Sequence, residues 1–316
     1  MIYGISLYAR YDARIQPGIT IMEKLTTQLR KLINGKELVI QPGIFDGYSA
    51  RLVQQAGYPS GFISGAGIAE AQLGQPDIGL MGFELNLNAV RMIAASVSIP
   101  LLVDADTGYG NAINVYHYAR AFEQAGLAGV MFEDQTWPKR CGHMAGKSVI
   151  GADEMVEKIR AACEARRDAD FVIKARTDAL APLGIDEVVK RLNLYAEAGA
   201  DLLFADALLS ENDISTVVRN ISKPLCVNMG FGIRKRATTP LISPQRLAEL
   251  GVRVVIYPRL LTACAIKGMQ NGLAALKEAT AHYEPIERPE LLTSFEELNK
   301  VVGFDEFKAL EKRLAR

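Results

Sequence analysis

The nine residues PLLVDADTG (residues 100–108) carry an unbroken apolar run that ends in two acids, one residue apart, and a glycine. An apolar run without alternation fits a strand buried on both faces, as in a parallel sheet. The same design recurs on both sides of it. ELVIQPG starts at Glu37, GFISGAG at Gly61, AGVMFEDQ at Ala128 and DFVIKARTD at Asp170. ADLLFADA follows from Ala200, KPLCVNM from Lys223 and VRVVIYPR from Val252. Between these runs lie amphipathic stretches such as NVYHYARAFEQAG (114–126) and DEVVKRLNLYAEAGA (186–200). Several close on glycine, at Gly57, Gly126, Gly199 and Gly251, where a left-handed helix end costs least. Alternating strands and helices imply a parallel sheet, and eight such units in roughly 250 residues imply a closed (β/α)8 barrel of TIM type. A doubly wound open sheet is the alternative, but no GxGxxG follows the first strand to support it.

The ends read as helical additions to this barrel. Residues 1–36 contain the helical pattern MEKLTTQLRKLING, residues 37–283 read as the barrel, and residues 284–316 read as an arm of one or two further helices, SFEELNKVVG and then FDEFKALEKRLAR. The chain has 316 residues with 36 basic and 36 acidic side chains, so it carries no electrostatic footprint for nucleic acid or anionic membrane. No apolar run approaches the roughly 20 residues of a spanning helix, and the first residues lack the pattern of a signal peptide. The four cysteines (Cys141, Cys163, Cys226 and Cys264) are scattered, without a CxxC pair. A disulfide scaffold or zinc knuckle is therefore not expected, and a cytoplasmic enzyme is.

Active sites of such barrels form at the C-terminal ends of the strands, and polar residues gather there. The third strand ends in Asp104 and Asp106, the fourth in Glu133-Asp134, and the fifth in Arg176-Thr177-Asp178. The sixth ends in Asp206 and the seventh in Asn228. Residues two apart on a strand share a face, so Asp104 and Asp106 point together, with Glu133 beside them. Three converging carboxylates repel one another unless a cation neutralises them, and oxygen donors favour Mg2+ or Mn2+. The plainer alternative is that some of these acids cap helices or pair with Arg176. The loop WPKRCGH (137–143) sets Cys141 beside Lys139, Arg140 and His143, a setting that suits a nucleophile or a general acid–base.

Cys163, Cys226 and Cys264 read as small buried hydrophobes, and His117 and His282 as packing or surface residues. Lys174 shares the face of Arg176 and reads either as a Schiff-base lysine or as a lysine paired with an inward acid. The glycine-bearing run from Asn228, followed by Arg234, Lys235 and Arg236, keeps a phosphorylated substrate open as an alternative.

The stretches SGAG (64–67), LGQPDIG (73–79), DADTGYG, FEDQ, KRCGH, KARTDAL and VNM occur in the order found in the isocitrate lyase / phosphoenolpyruvate mutase superfamily. The chain resembles that superfamily from about residue 42 to residue 275. KRCGH resembles the gating loop of its carbon–carbon lyases, and the phosphonate-forming branch lacks this cysteine. The chain's length is similar to the short 2-methylisocitrate lyase or 2,3-dimethylmalate lyase type. The resemblance implies that Asp106 is the direct Mg2+ ligand and that Asp77, Asp104 and Glu133 hold the ion largely through water. It implies that Ser64, Gly65 and Ala66 bind the hydroxy-acid end of the substrate, and that Arg176 and Asn228 bind its carboxylates. It further implies that Gly142 and His143 travel with Lys139 on the gating loop, and that Cys141 is the cysteine that protonates the departing carbanion.

The expected reaction is retro-aldol/Claisen cleavage of a 2-hydroxy di- or tricarboxylate, giving pyruvate or glyoxylate and a second acid. An oxaloacetate hydrolase or decarboxylase on the same metal site is the rival enzyme, and a non-catalytic binding barrel the rival of another class. Departures from the family pattern are Asp206 where the lyases usually have Glu, Phe62 where methylisocitrate lyase has a tyrosine, and a longer, basic segment after Asn228. Pro258 stands where the oxaloacetate hydrolases carry a distinctive serine. The resemblance further implies a homotetramer in which a C-terminal helix, within residues 260–283, swaps between subunits.

Overall fold

The computed structural model describes residues 23–142, 144, 146–230, 239–282, 285 and 287–315. Within them, eight parallel strands close into one barrel in chain order. They are β1 (Val39–Ile44), β2 (Gly61–Ile63), β3 (Leu101–Asp104), β4 (Gly129–Glu133), β5 (Val172–Thr177), β6 (Leu202–Ala205), β7 (Leu225–Asn228) and β8 (Val254–Tyr257). Closure runs from Val39 opposite Val254 to Pro42 opposite Tyr257. Every expected strand is present, and the TIM-type barrel is the observed fold. Gly57, Gly126, Gly199 and Gly251 all have positive φ, so each ends its helix in the backbone region where a side chain would be strained.

The pleat sends alternate side chains inward and outward, which gives two apolar cores. Phe62, Met131, Phe204, Cys226 and Ile256 belong to the inner one, and Leu29 and Ile33 of the N-terminal helix Leu25–Asn34 close its base. Leu29 and Ile33 are four apart and share one face of that helix. Its other face is clamped, with Arg30 donating to Asp201 at 2.9 Å and Thr27 to Asp170 at 2.5 Å. The outer core fills the space between strands and helices. Burying each such side chain contributes about 1.5–3 kcal/mol.

The same alternation separates neighbouring strand-end acids. Glu133 faces the barrel mouth, whereas Asp134 faces outward into the helix layer. There Asp134 accepts hydrogen bonds from Tyr195 Oη (2.7 Å), Thr177 Oγ1 (2.7 Å), the Asp178 amide (2.9 Å) and Arg191 (3.0 Å). Asp134 therefore ties β4, β5 and the helix Ile185–Glu197 together from behind the site.

Lys174 does not have the acid partner that was one of its two readings. Its ammonium lies 4.8 Å from the Phe62 ring and 4.7 Å from the Phe204 ring, beside the Cys226 thiol and with no ion pair to a carboxylate among the described residues. Cys163 and Cys226 are partly and fully buried as expected, but Cys264 is exposed, because its helix stands off the barrel. That helix, Leu260–His282, buries only Thr262 and Ala275 and exposes Ile266, Met269, Leu273 and Leu276. The expected tail helices follow as Phe295–Val301 and Phe304–Leu314. No helix among the described residues is long and apolar enough to cross a membrane.

Candidate active site

The C-terminal mouth of the barrel holds a small cavity of about 40 Å³. Ser64, Asp104, Glu133, Cys141, Arg176 and Asn228 line it, together with Ala66, Asp77, Lys139, Gly142 and Asp206. Gly65 adjoins it, since a Cβ there would lie 3.2 Å from the Asp104 carboxylate. Asp106 sits beneath Lys139, 2.7 Å from its ammonium. Every expected site residue within the described set is thus brought to one place. His143, Arg234, Lys235 and Arg236 lie outside the described residues.

Local backbone explains the placement. The chain turns sharply at the end of β3, and Asp106 adopts a left-handed φ of 49°. Its amide donates to Asp104 Oδ1 at 3.1 Å, which fixes the two acids relative to each other. Ser64 caps the short helix Gly65–Ile68, its Oγ accepting from the Gly67 amide at 3.1 Å. That bond leaves the hydroxyl proton of Ser64 available to a ligand.

The three-carboxylate convergence read from the strand ends takes a different form, because two cations divide the acids. Lys139, buried on the loop after β4, pairs with Asp77 and Asp106. Arg176 binds Asp178 through two bonds (2.8 and 2.9 Å) and reaches Glu133 (3.2 Å) and Asp206 (3.3 Å). Lys139 therefore does not flank the Cys141 thiol as its neighbour in sequence suggested; it turns away to the acids. Among the described residues, no three His, Cys, Asp or Glu side chains gather closely enough to hold one ion between them.

The donor chemistry nonetheless suits a hard divalent cation. All the donors are oxygens, and Glu133 Oε1 is buried without a hydrogen-bond partner, while Lys139 occupies Asp106 Oδ1 at 2.7 Å. Burial pushes the Asp106 carboxyl up to about 6 despite Lys139, and raises Asp104 as well. Burial also sends Glu133 well above the ordinary carboxylate range, against the pull of Arg176. Asp178 goes the other way: burial opposes its charge, but Arg176 and Lys147 hold it well below the usual range.

Residues 137–142 of the loop after β4 are docked over this mouth. The Cys141 amide donates to the Asp77 carbonyl at 3.2 Å, and Gln135 grips both the amide and the carbonyl of Arg140 at 2.9 Å. Gly142 lies so near Asp206 that a Cβ would come within 2.0 Å of its carboxylate. Lys147 was not singled out by sequence, yet its buried ammonium donates to the Gly142 carbonyl (2.9 Å), Asp178 (2.7 Å) and Asp206 (3.2 Å). Arg259 and Glu70 were also missed. Arg259 donates to Cys141 Sγ at 3.4 Å and to Glu70 at 2.6 Å. A lysine six residues beyond the cysteine and an arginine directly after the eighth strand are signals visible only once the barrel places them.

A TIM-type barrel whose acid-lined mouth lies beneath a cysteine-bearing loop defines an enzyme of the strand-end type. Residues 29–277 match the family model described as phosphoenolpyruvate phosphomutase, and the chain belongs to that family. It is 35% identical over 290 residues to the 2,3-dimethylmalate lyase of Eubacterium barkeri, covering 91% of this chain and 97% of that one. It is also 35% identical over 296 residues to a 2-methylisocitrate lyase of Aeropyrum pernix, covering 93% and 92%. The chloroplastic carboxyvinyl-carboxyphosphonate phosphorylmutase of Arabidopsis thaliana is 36% identical over 294 residues, covering 92% and 85%. Among solved structures, an oxaloacetate acetylhydrolase complexed with 3,3-difluorooxalacetate superposes with a TM-score of 0.84 at 31% identity, covering 92% and 97%.

Proposed function

We propose that this protein is a Mg2+-dependent carbon–carbon lyase that cleaves a 2-hydroxy di- or tricarboxylate into a 2-keto acid and a second carboxylic acid. The observation that carries this reading is a thiol, Cys141, on a loop docked across the mouth from the acids of β3 and β4. The relatives named as 2,3-dimethylmalate and 2-methylisocitrate lyases make those two acids the first substrates to try. Asp106 is the direct ligand in this reading, with Asp77, Asp104 and Glu133 acting largely through water; Mn2+ is the natural substitute. Bound there, the ion would polarise the substrate hydroxyl and ease its ionisation.

The chain's own residues do the rest. Ser64 and the amides of Gly65 and Ala66 hold the hydroxy-acid end. Arg176 meets a carboxylate with its planar donor set, and Asn228, which lines the pocket, meets the other end of the substrate through its Nδ2 donor. Lys139 secures the loop to Asp77 and Asp106, and Gly142 and His143 complete the cover that excludes water. Loss of the 2-keto acid leaves a carbanion on the second product, and Cys141 donates the proton that quenches it.

An oxaloacetate hydrolase or decarboxylase is the second reading, favoured by the likeness to the oxaloacetate acetylhydrolase structure. Pro258, which lines the mouth beside β8, offers no hydroxyl there and supports the lyase.

For assembly, the reading is a helix-swapped homotetramer built from the barrel (37–283) and its arms (1–36 and 284–316). Two apolar surfaces support it: the exposed face of helix Leu260–His282, and a groove outside β1 and β8 lined by Ile40, Pro42, Tyr58, Ile242 and Tyr257. A cytoplasmic location fits the four free cysteines.

The test is release of pyruvate and glyoxylate by wild type and Cys141→Ser, with Mg2+ or EDTA. Substrates are 2-methylisocitrate, 2,3-dimethylmalate, isocitrate, citramalate and oxaloacetate. Metal-dependent turnover of one hydroxy acid, lost in the variant, supports the lyase; acetate or CO2 from oxaloacetate alone replaces it with the second reading.

A further inference from the structure

Arg259 stands at the C-terminal end of β8, between Pro258 and the first residue of helix Leu260–His282. Its backbone is fixed from two directions. β1 comes so close that a Cβ on Gly43 would lie 2.3 Å from the Pro258 carbonyl oxygen. The Arg259 carbonyl accepts from the Ala263 amide at 3.0 Å and from Thr262 Oγ1 at 3.1 Å. The side chain then bridges two other loops of the mouth. Nη1 donates to Glu70 Oε1 at 2.6 Å, and Nη2 donates to Cys141 Sγ at 3.4 Å. Glu70 belongs to the turn Ala69–Leu73, which continues directly from the segment Gly65–Ile68. One guanidinium therefore connects the loops that follow β2, β4 and β8.

We propose that Arg259, braced by Glu70, is the positioning residue that holds the Cys141 sulfur at the reacting end of the pocket. The inference rests on the lyase reading for its consequence, but its geometry stands without it. A cysteine side chain has three staggered χ1 positions, and a charged donor beside Sγ selects among them. The Cys141 backbone is separately held by its amide bond to the Asp77 carbonyl, so Arg259 has only the side-chain rotation left to fix. Lys139 cannot do this, because its ammonium is committed to Asp77 and Asp106. Fixing the sulfur matters because a proton donor displaced by about 1 Å from the receiving carbon loses on the order of 10²-fold in rate.

The experiment compares alkylation of Cys141 by iodoacetate and by iodoacetamide, resolved by peptide mass spectrometry in wild type, Arg259→Ala, Arg259→Lys and Glu70→Gln. The reagents are similar in size and attack the same sulfur, so their rate ratio cancels accessibility and intrinsic reactivity and reads the charge beside Sγ. Exposed Cys264 in the same molecule is the internal reference. A unit charge about 4 Å away is worth roughly five-fold even in bulk water. The iodoacetate/iodoacetamide ratio at Cys141 therefore falls about five-fold or more in Arg259→Ala and is largely kept in Arg259→Lys. It rises in Glu70→Gln, where the guanidinium loses its neutralising partner, and this opposite sign serves if Arg259→Ala does not fold. An unchanged ratio in Arg259→Ala, or no rise in Glu70→Gln, overturns the proposal.

Turnover of whichever acid proves active supplies the second readout. Arg259→Ala should lower kcat more than it raises KM, and Arg259→Lys should restore part of the loss. A raised KM with unchanged kcat would make Arg259 a substrate anchor and overturn the positioning role. If no acid is turned over, the alkylation ratios still decide the geometry.

Discussion

Gly142→Ala asks whether the loop over the mouth must dock as closely as the structure shows. A Cβ at this position would lie 2.0 Å from Asp206 Oδ2 and 2.9 Å from Arg176 Nη2. Neither neighbour can yield, since Lys147 and Arg176 hold Asp206 while Asp178 and Glu133 hold Arg176. Restoring an ordinary 3.4 Å contact from 2.0 Å moves the loop outward by about 1.4 Å. Cys141, the adjacent residue, moves with it. A misplacement of about 1 Å costs on the order of 10²-fold, so kcat/KM for the active acid should fall about 10²-fold or more, roughly 2.7 kcal/mol. The melting temperature should stay near wild type, because the loop lies outside both apolar cores. The chain's single tryptophan, Trp137, lies half exposed on this loop, and its fluorescence gives a direct readout of docking. Substrate with Mg2+ should shift that emission in wild type and leave it unmoved in the variant. A Gly142→Ala enzyme with wild-type kcat/KM would refute the reasoning, whatever its fluorescence.

Lys174→Met should stabilise the barrel by about 1–3 kcal/mol in a denaturant titration, because it removes a fully buried amine that no carboxylate neutralises. Burial lowers the Lys174 pKa from 10.5, so the unfolded chain binds this proton more tightly; its share of wild-type stability should fall as pH drops from the alkaline range, a slope that Lys174→Met abolishes. Lys147→Met strips the buried partner from Asp178 and Asp206 and should cost roughly 3–5 kcal/mol, read as a lower thermal midpoint. Truncation at about Glu284 should reduce the assembled mass in light scattering if the tail helices cover a neighbour, and an unchanged mass would remove the tail from the assembly. Mg2+ should raise the melting temperature of wild type and have a smaller effect on Asp106→Asn, whereas an equal rise in both would take Asp106 out of the metal site.

The barrel was legible because its evidence is local and repeated. Eight apolar runs that do not alternate, each followed by an amphipathic stretch, require two-sided burial, and glycines such as Gly126 and Gly199 end helices through their own backbone freedom. The mouth was legible as a set of residues, since strand ends are fixed once the strands are. How those residues pair was not. Asp134 and Glu133 are neighbours in sequence with opposite roles, and only the pleat separates the one that ties helices from the one that lines the pocket. Lys139 reads as a companion of Cys141, yet the loop's path carries its ammonium to Asp77 and Asp106. Glu70, Cys141 and Arg259 lie 71 and 118 residues apart along the chain, and no spacing rule connects them.

Charge balance joins these observations. Six buried carboxylates surround the mouth, those of Asp77, Asp104, Asp106, Glu133, Asp178 and Asp206, against three buried cations, Lys139, Lys147 and Arg176. Burial opposes ionisation at Asp178, Asp106 and Glu133 alike; at Asp178 Arg176 and Lys147 together overcome it, whereas at Asp106 and Glu133 a shared cation does not and the proton is held more tightly. A pocket with this deficit would repel an anionic acid unless positive charge entered with it or before it. The orphaned Oε1 of Glu133 marks where that charge is missing, and Arg259, on the loop after β8, directs a cation at the thiol. In the proposed lyase, the acids would take the cation and the sulfur would deliver the proton, the division of labour that cleavage followed by protonation requires.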